Sequence, residues 1–171
     1  RSSDITITIK GTEETQKILS DSYTDSLPIE VLINNNPASV GKTVSGLTQE
    51  INIITMRWES GISNCNSMFR ELYNIISVDL TKFVVSNVQD MINMFYLCQS
   101  LESIEIDDFN TQSLQHMGHM FYSCKSLKSI DFIILISLFS RTRYNSKKVP
   151  FEGLILKPIK SSVSDSETVI P

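Results

Sequence analysis

The residues Asn36 to Thr43 read NPASVGKT, one glycine short of the phosphate-binding pattern G-x-x-x-x-G-K-[ST]. That loop works because a flexible first glycine and a helix opening at Lys-Thr let backbone amides converge on phosphate oxygens. Here Asn-Pro begins the loop, and Val44, Gly46 and a β-rich run follow, so the stretch reads as a surface turn. His116 and His119 lie three apart, with Cys124 close by. Zinc needs three or four converging ligands, and the two histidines share the register of the polar Asp90 and Asn93, so they are expected on the surface. Buried thiols have no partner for Cys-His nucleophilic chemistry. No catalytic residues, metal ligands or cofactor are expected, and the chain is not read as an enzyme.

What remains is a pair of polar rows. Ser77, Ser103 and Ser129 are 26 residues apart, as are Asp79, Glu105 and Asp131, with Asp107 and Asp108 adding charge beside Glu105. Like charges on neighbouring strands cost roughly a few tenths to 1 kcal/mol each. Ser77, Asp79, Ser103, Glu105, Asp107, Ser129 and Asp131 are therefore the candidate partner-binding residues, for a basic or hydroxyl-rich partner. A bridging Ca²⁺ is an option that no ligand pattern supports.

The rows follow from a repeat. Met-Phe occurs at Met68-Phe69, Met94-Phe95 and Met120-Phe121, a constant interval of 26 residues. A fixed period of this size marks units that bury their apolar faces only by stacking. Ile75-x-x-Val78-x-Leu80, Leu101-x-x-Ile104-x-Ile106 and Leu127-x-x-Ile130-x-Phe132 keep the register, with Phe83 and Phe109 after the first two. This is a leucine-rich-repeat pattern ending in a short half-buried strand. Ile62, Cys65, Met68, Phe69 and Leu72 fall at steps of three, three, one and three. Val88, Met91, Met94, Phe95 and Cys98 repeat those steps, and so do Leu114, Met117, Met120, Phe121 and Cys124. Such spacing predicts one apolar stripe on a helical or 3₁₀-like segment, with Ser86 and Gln89 as a capping box. The expected fold is an α/β repeat solenoid, a strand plus a short helix per 26-residue coil.

Three segments are expected. Residues 1–46 form a β-rich N-terminal cap: Ile5, Ile7 and Ile9 alternate with Thr6, Thr8 and Lys10, Ile18-Leu19 and 29–33 read as strands, and Asn34-Asn35-Asn36-Pro37 as a turn. Residues 47–135 form the leucine-rich-repeat array, with 47–67 a degenerate first coil in which Ile54 takes the register of Leu80. Residues 136–171 form an irregular to disordered basic tail, after an apolar run at 132–139 far shorter than the roughly 20 residues a membrane span needs.

These motifs resemble the 26-residue repeat of bacterial surface proteins, the BspA-like branch of the leucine-rich repeats. That unit reads roughly M-F-x-x-C-x-S-L-x-x-L-D-L-S-x-F-x-T-S-x-V-x-x-M-x-x. Met94-Phe95, Cys98, Ser100-Leu101, Ile104, Ile106, Phe109, Thr111, Leu114 and Met117 fit it, and Met120-Phe121, Cys124, Ser126-Leu127, Ile130 and Asp131 fit it again. Leu72 replaces the first Cys, Glu105 replaces Asp, and the pattern stops after Asp131. The resemblance covers about residues 62–132. It implies a non-catalytic cell-surface or extracellular protein that adheres to a protein partner, such as a host or matrix protein. An intracellular scaffold using the same face is the first alternative. An enzyme whose catalytic domain lies outside this chain is the second.

Composition bounds these readings. The net charge of −4 and the pI near 5.2 argue against a general nucleic-acid binder. Residues 68–131 hold eight acids and four bases while 132–171 hold three acids and six bases, so the array is acidic and the tail basic. Three cysteines give no even disulfide framework, and Cys98 and Cys124 are expected as free buried thiols. No N-x-[ST] sequon is present. The chain opens at Arg1 without Met, which reads as a fragment or processed chain.

Overall fold

The computed structural model describes residues 2–12, 14–59, 61–106, 112–131 and 155–157. Its strands are β1 (Ser3–Lys10), β2 (Gln16–Lys17), β3 (Glu30–Ile33), β4 (Asn36–Ala38), β5 (Thr43–Val44), β6 (Ile51–Trp58), β7 (Ile75–Asp79), β8 (Ser103–Glu105), β9 (Ser129–Asp131) and β10 (Ile155–Lys157). Eight form one mixed sheet in the order β10-β9-β8-β7-β1-β6-β3-β4, and β2 pairs with β5 apart from it.

The N-terminal strands form where period-two alternation demands them. Ile5, Ile7 and Ile9 of β1 are fully buried, as are Ile54 and Met56 of β6, with Trp58 nearly so. Thr6, Thr8 and Thr55 lie on the opposite face because successive side chains of a strand point to opposite sides. The β3–β4 hairpin turns on Asn34 and Asn35, with φ of 50° and 66°. Two left-handed residues make the primed turn whose twist suits a two-residue hairpin loop, and asparagine tolerates that geometry. Pro37 lies in β4, at the sheet edge, where a missing N–H costs no ladder bond to a further strand. Trp58 Nε1 (2.9 Å) and the Tyr23 hydroxyl (3.2 Å) both donate to the Ser26 carbonyl and tie the 20–26 loop to the core.

The expected α/β solenoid, with a helix in every coil, is not what forms. Among the described residues there is no helix; the second half of each unit is a chain of turns. A helix would spend its N–H groups within its own segment. Here alternate N–H groups cross to the next unit instead. Cys65, Ser67, Phe69 and Glu71 donate to the carbonyls of Asp90, Ile92, Met94 and Tyr96 at 2.8–2.9 Å. Met91, Asn93, Phe95 and Leu97 then donate to His116, Gly118, Met120 and Tyr122 at 2.8–3.0 Å. Between these crossings, tight turns close, as from Met94 N to Met91 O and from Cys98 N to Phe95 O. Turns closed at i, i+3 put the same residues on one side as a helix does, so the stripe names the core and misnames the backbone. Gln89 is not part of a capping box, since its N–H donates to Ser63 O.

The chain of turns requires left-handed residues at fixed places. Ser67, Asn93 and His119 have φ of 58°, 55° and 56°, and Glu71, Leu97 and Ser123 have 61° each. None is glycine. Glycine at Ser123, whose short side chain leaves little to lose, is expected to raise stability by about 0.5–1 kcal/mol, the balance of relieved left-handed strain and added chain entropy. A urea midpoint lower than that of the parent chain would contradict the geometry.

The core runs through all units. Met68, Phe69, Met94 and Phe95 are fully buried, and Met120 nearly so. Phe69, Phe95 and Phe121 stack with centroids 5.5 and 5.7 Å apart and planes within 12° and 4°. Cys98 Sγ donates to Phe69 O, and Cys124 Sγ to Phe95 O, each at 3.0 Å. The recurring spacing Met-Phe-x-x-Cys thus lets Cys98 and Cys124 each reach the phenylalanine carbonyl of the preceding unit. All three cysteines are free.

Burial pushes the Cys65 and Cys98 thiols up from 9.0 and that of Cys124 up to about 12. A thiol that keeps its proton when folded, and releases it near an ordinary value of about 8.5 when unfolded, makes the unfolded chain bind fewer protons. The contribution of the thiols is therefore expected to be constant below about pH 8, and stability to fall as pH rises from about 9 toward 12. A pH series of urea midpoints checks this; a midpoint rising over that window would contradict it.

Candidate binding surface

The strand register sets residues of the two polar rows beside one another. Ser77 pairs with Ser103 and Ser103 with Ser129, all parallel, and Asp79 pairs with Glu105. Asp131 closes β9, two residues on from Ser129. For Ser129 and Asp131 only the backbone register is described, and Asp107 lies outside the described residues, with Asp108 and Phe109. The run at 132–139 also lies outside them. Within the stretch expected as a tail, β10 pairs parallel with β9, Ile155 to Ser129 and Lys157 to Asp131. The 26-residue interval therefore continues one strand beyond the last recognisable motif, and a lysine takes the register of the acidic row.

The acids are not equivalent. Asp79 Oδ1 accepts from Thr81 N (2.8 Å) and Thr81 Oγ1 (2.7 Å), closing the turn after β7. This is the self-bonded turn that Asp favours, and it leaves one oxygen for a partner. Glu105 is exposed. Just before β8, Glu102 pairs with Lys128 at 2.6 Å, and that lysine holds the Glu102 carboxyl below its ordinary range.

The face extends beyond the repeats. β1 pairs with β7, setting Thr8 against Ser77 and Thr6 against Asp79. On its other side β1 pairs with β6, setting Thr6 against Thr55, with hydroxyls 3.2 Å apart, and Thr8 against Ile53. The serine row therefore runs on into Thr8, and the acidic row into Thr6 and Thr55. Ile51 and Ile53 on β6 remain 43% and 50% exposed, an apolar margin to the hydroxyl field. Arg57 bridges Asp4 (3.0 Å) and Glu30 across three strands, and these carboxylates keep its charge more firmly in place. The alternation in Thr6-Ile7-Thr8 signals a wet face; that this face adjoins Ser77 and Asp79 has no local signal.

A second exposed feature was not read from the sequence. Arg70, Tyr96 and Tyr122 share one register and form a column: the guanidinium lies 4.9 Å from the Tyr96 ring centre, and the two tyrosine rings stack at 5.0 Å. His119 meets Tyr122 edge-on at 6.1 Å. The interval of 26 between Tyr96 and Tyr122 was the available clue.

The other chemistry takes definite form. Lys42 Nζ donates to the carbonyls of Asp21 (3.2 Å) and Tyr23, and Thr43 enters a strand. The stretch therefore lacks both the free lysine and the helix start that a phosphate loop needs. His116 and His119 are exposed, while Cys124 Sγ faces the Phe95 carbonyl, so the three do not converge. Among the described residues no three His, Cys, Asp or Glu side chains group as metal ligands, and no helix is long and apolar enough to cross a membrane.

A family model described as "Mycoplasma protein of unknown function, DUF285" matches residues 40–133. Comparison with curated proteins and with solved structures gives no match.

Proposed function

The chain belongs to the DUF285 family, and on that premise we propose that it is a non-catalytic binding protein of the cell surface, adhering to a protein partner through the outer face of its sheet. One observation carries this reading. Parallel strands in strict register set serines and acids side by side, and β1 and β6 prolong those rows with threonines. Acids on adjacent strands repel, a cost of roughly a few tenths to 1 kcal/mol per pair that a basic partner relieves. The likeness of the repeat to BspA-like surface repeats supports adhesion to a host or matrix protein.

The test compares the parent chain with Glu105→Lys/Asp131→Lys on a panel of immobilised matrix proteins. The charge reversal is expected to weaken binding about tenfold or more, equivalent to about 1.4 kcal/mol, and to flatten its salt dependence. Equal binding by both chains would remove the acidic row from the interface. Binding by neither chain to any panel member would overturn adhesion.

A further inference from the structure

The repeat units touch on one side of the stack and are parted on the other. On the turn side, the first unit meets the second directly, with Cys65 N donating to Asp90 O at 2.8 Å and Phe69 N to Met94 O at 2.9 Å. On the strand side, β6 precedes that first run of turns, and it does not pair with β7. β1 lies between them, antiparallel to both. Ile7 is level with Ile54 on one wall and Val78 on the other; Thr8 is level with Ile53 and Ser77. β6 and β7 therefore run parallel, one strand's width apart. The register expected for a first coil, Ile54 with Leu80, does not form because a strand is interposed.

The residues matched by the family model, 40–133, contain both walls and the turns beneath them, but not the strand that fills the gap. An empty gap would leave the facing backbone groups of β6 and β7 as two sheet edges. It would also uncover the core beneath Ile5, Ile7 and Ile9, each fully buried. The gap thus has its own recognition rule: an antiparallel extended segment with aliphatic residues at alternate positions.

We propose that the gap between β6 and β7 is a strand-acceptor site, which takes Ser3–Lys10 from its own chain or from a second copy, so that two copies join by exchanging this strand. The seated contacts are identical in both arrangements, so the choice rests on the junction and on concentration. The junction is crowded. A Cβ on Gly11 would come within 2.0 Å of the Gln49 carbonyl oxygen and 2.6 Å of Asn52 Nδ2, and Gly11 N already donates to Glu50 O at 2.8 Å. Those atoms belong to the β6 wall, where Asn52 pairs with Ile9, so a side chain at Gly11 would crowd the end of the seat whichever copy supplied the strand. Beyond it Thr12, Glu14 and Thr15 are exposed, so the path can open without uncovering core.

Thr8 and Ile53 face each other across β1 and β6, and three variants of the 171-residue chain use them: Thr8→Cys, Ile53→Cys and the double variant. Dilute and oxidised, the double variant is expected to close a disulfide within one chain. An equal mixture of the single variants is concentrated, warmed through unfolding, cooled and oxidised. It is expected to give a product of twice the chain mass, linked between positions 8 and 53 by peptide mass. Its yield rises with concentration. A mixture without that linkage, while the double variant closes, would overturn exchange. A double variant that does not close would overturn the seating of β1 itself.

Discussion

Replacing Ile7 with aspartate is expected to unfold the chain at neutral pH. Ile7 is fully buried in the middle of the sheet, between Ile54 and Val78. The variant loses the burial of an aliphatic side chain, about 1.5–3 kcal/mol, and places a carboxylate in the buried interior level with Ile54 and Val78. An uncompensated buried charge costs several kcal/mol more, on the order of 3–5. The sum is comparable with the whole stability of a typical domain, about 5–15 kcal/mol. Ile7→Val is the control, expected to cost about 0.5–1.5 kcal/mol. Urea unfolding followed by Trp58 fluorescence separates them. An aspartate variant whose midpoint matches that of the valine variant would show that β1 is not held between β6 and β7. Lowering the pH neutralises the new carboxyl and is expected to return part of the lost stability, because a buried acid protonates rather than remain charged.

The second large effect belongs to the ring column inside the repeats. Phe95→Ala is expected to cost about 3–5 kcal/mol, with the upper end favoured because Phe95 has a stacked neighbour on each side. Such ring pairs add about 0.5–1.5 kcal/mol each beyond the area they bury. Phe121→Ala is expected to cost less, since Phe121 is only partly buried. Chemical denaturation of both variants gives the order; Phe121→Ala costing as much as Phe95→Ala would contradict the column. Phe95→Leu, which restores most of the volume, is expected to recover much of the loss.

Much of this arrangement could be read from residue spacing. Met68, Met94 and Met120 announce the period, and the apolar residues of the turn segments from Ile62 to Phe95 and Cys98 pack inside as expected, with Leu114, Met117 and Met120, whereas Ile106 is only partly buried. The strand positions at Val78 and Ile104 are also legible, because burial on one face of a strand leaves an alternating trace. The alternation of Ile5, Ile7 and Ile9 marks a strand with a wet face. The backbone of the turn segments is not legible, because steps of three and four suit a helix and a string of tight turns alike. Only the destination of the N–H groups of Phe69 and Phe95 decides, and that is a contact between units. The position of β1 is hidden for the same kind of reason: nothing near Ile7 tells of Val78, some seventy residues away in the chain. Of the candidate site, the parallel pairing of Ser77 with Ser103 and of Asp79 with Glu105 was implied by the interval. The turn bond that engages Asp79 was visible in principle, since Asp-x-Thr favours it. The hydroxyls of Thr6, Thr8 and Thr55 joined the surface only through pairing between distant segments.

The two sides of the large sheet have different prospects for growth. At β4 the ladder ends in a three-residue strand carrying Pro37, whose ring nitrogen has no hydrogen to offer a newcomer. On the other side each unit hands its amides to the next, so a duplicated block of 26 residues inserted between existing blocks would meet the same backbone crossings on both its faces. Each such duplication would lengthen the molecule by about 4.8 Å, one strand spacing, without redesigning anything already folded. A chain built on this interval grows in whole strands, and its span would follow the number of blocks it carries.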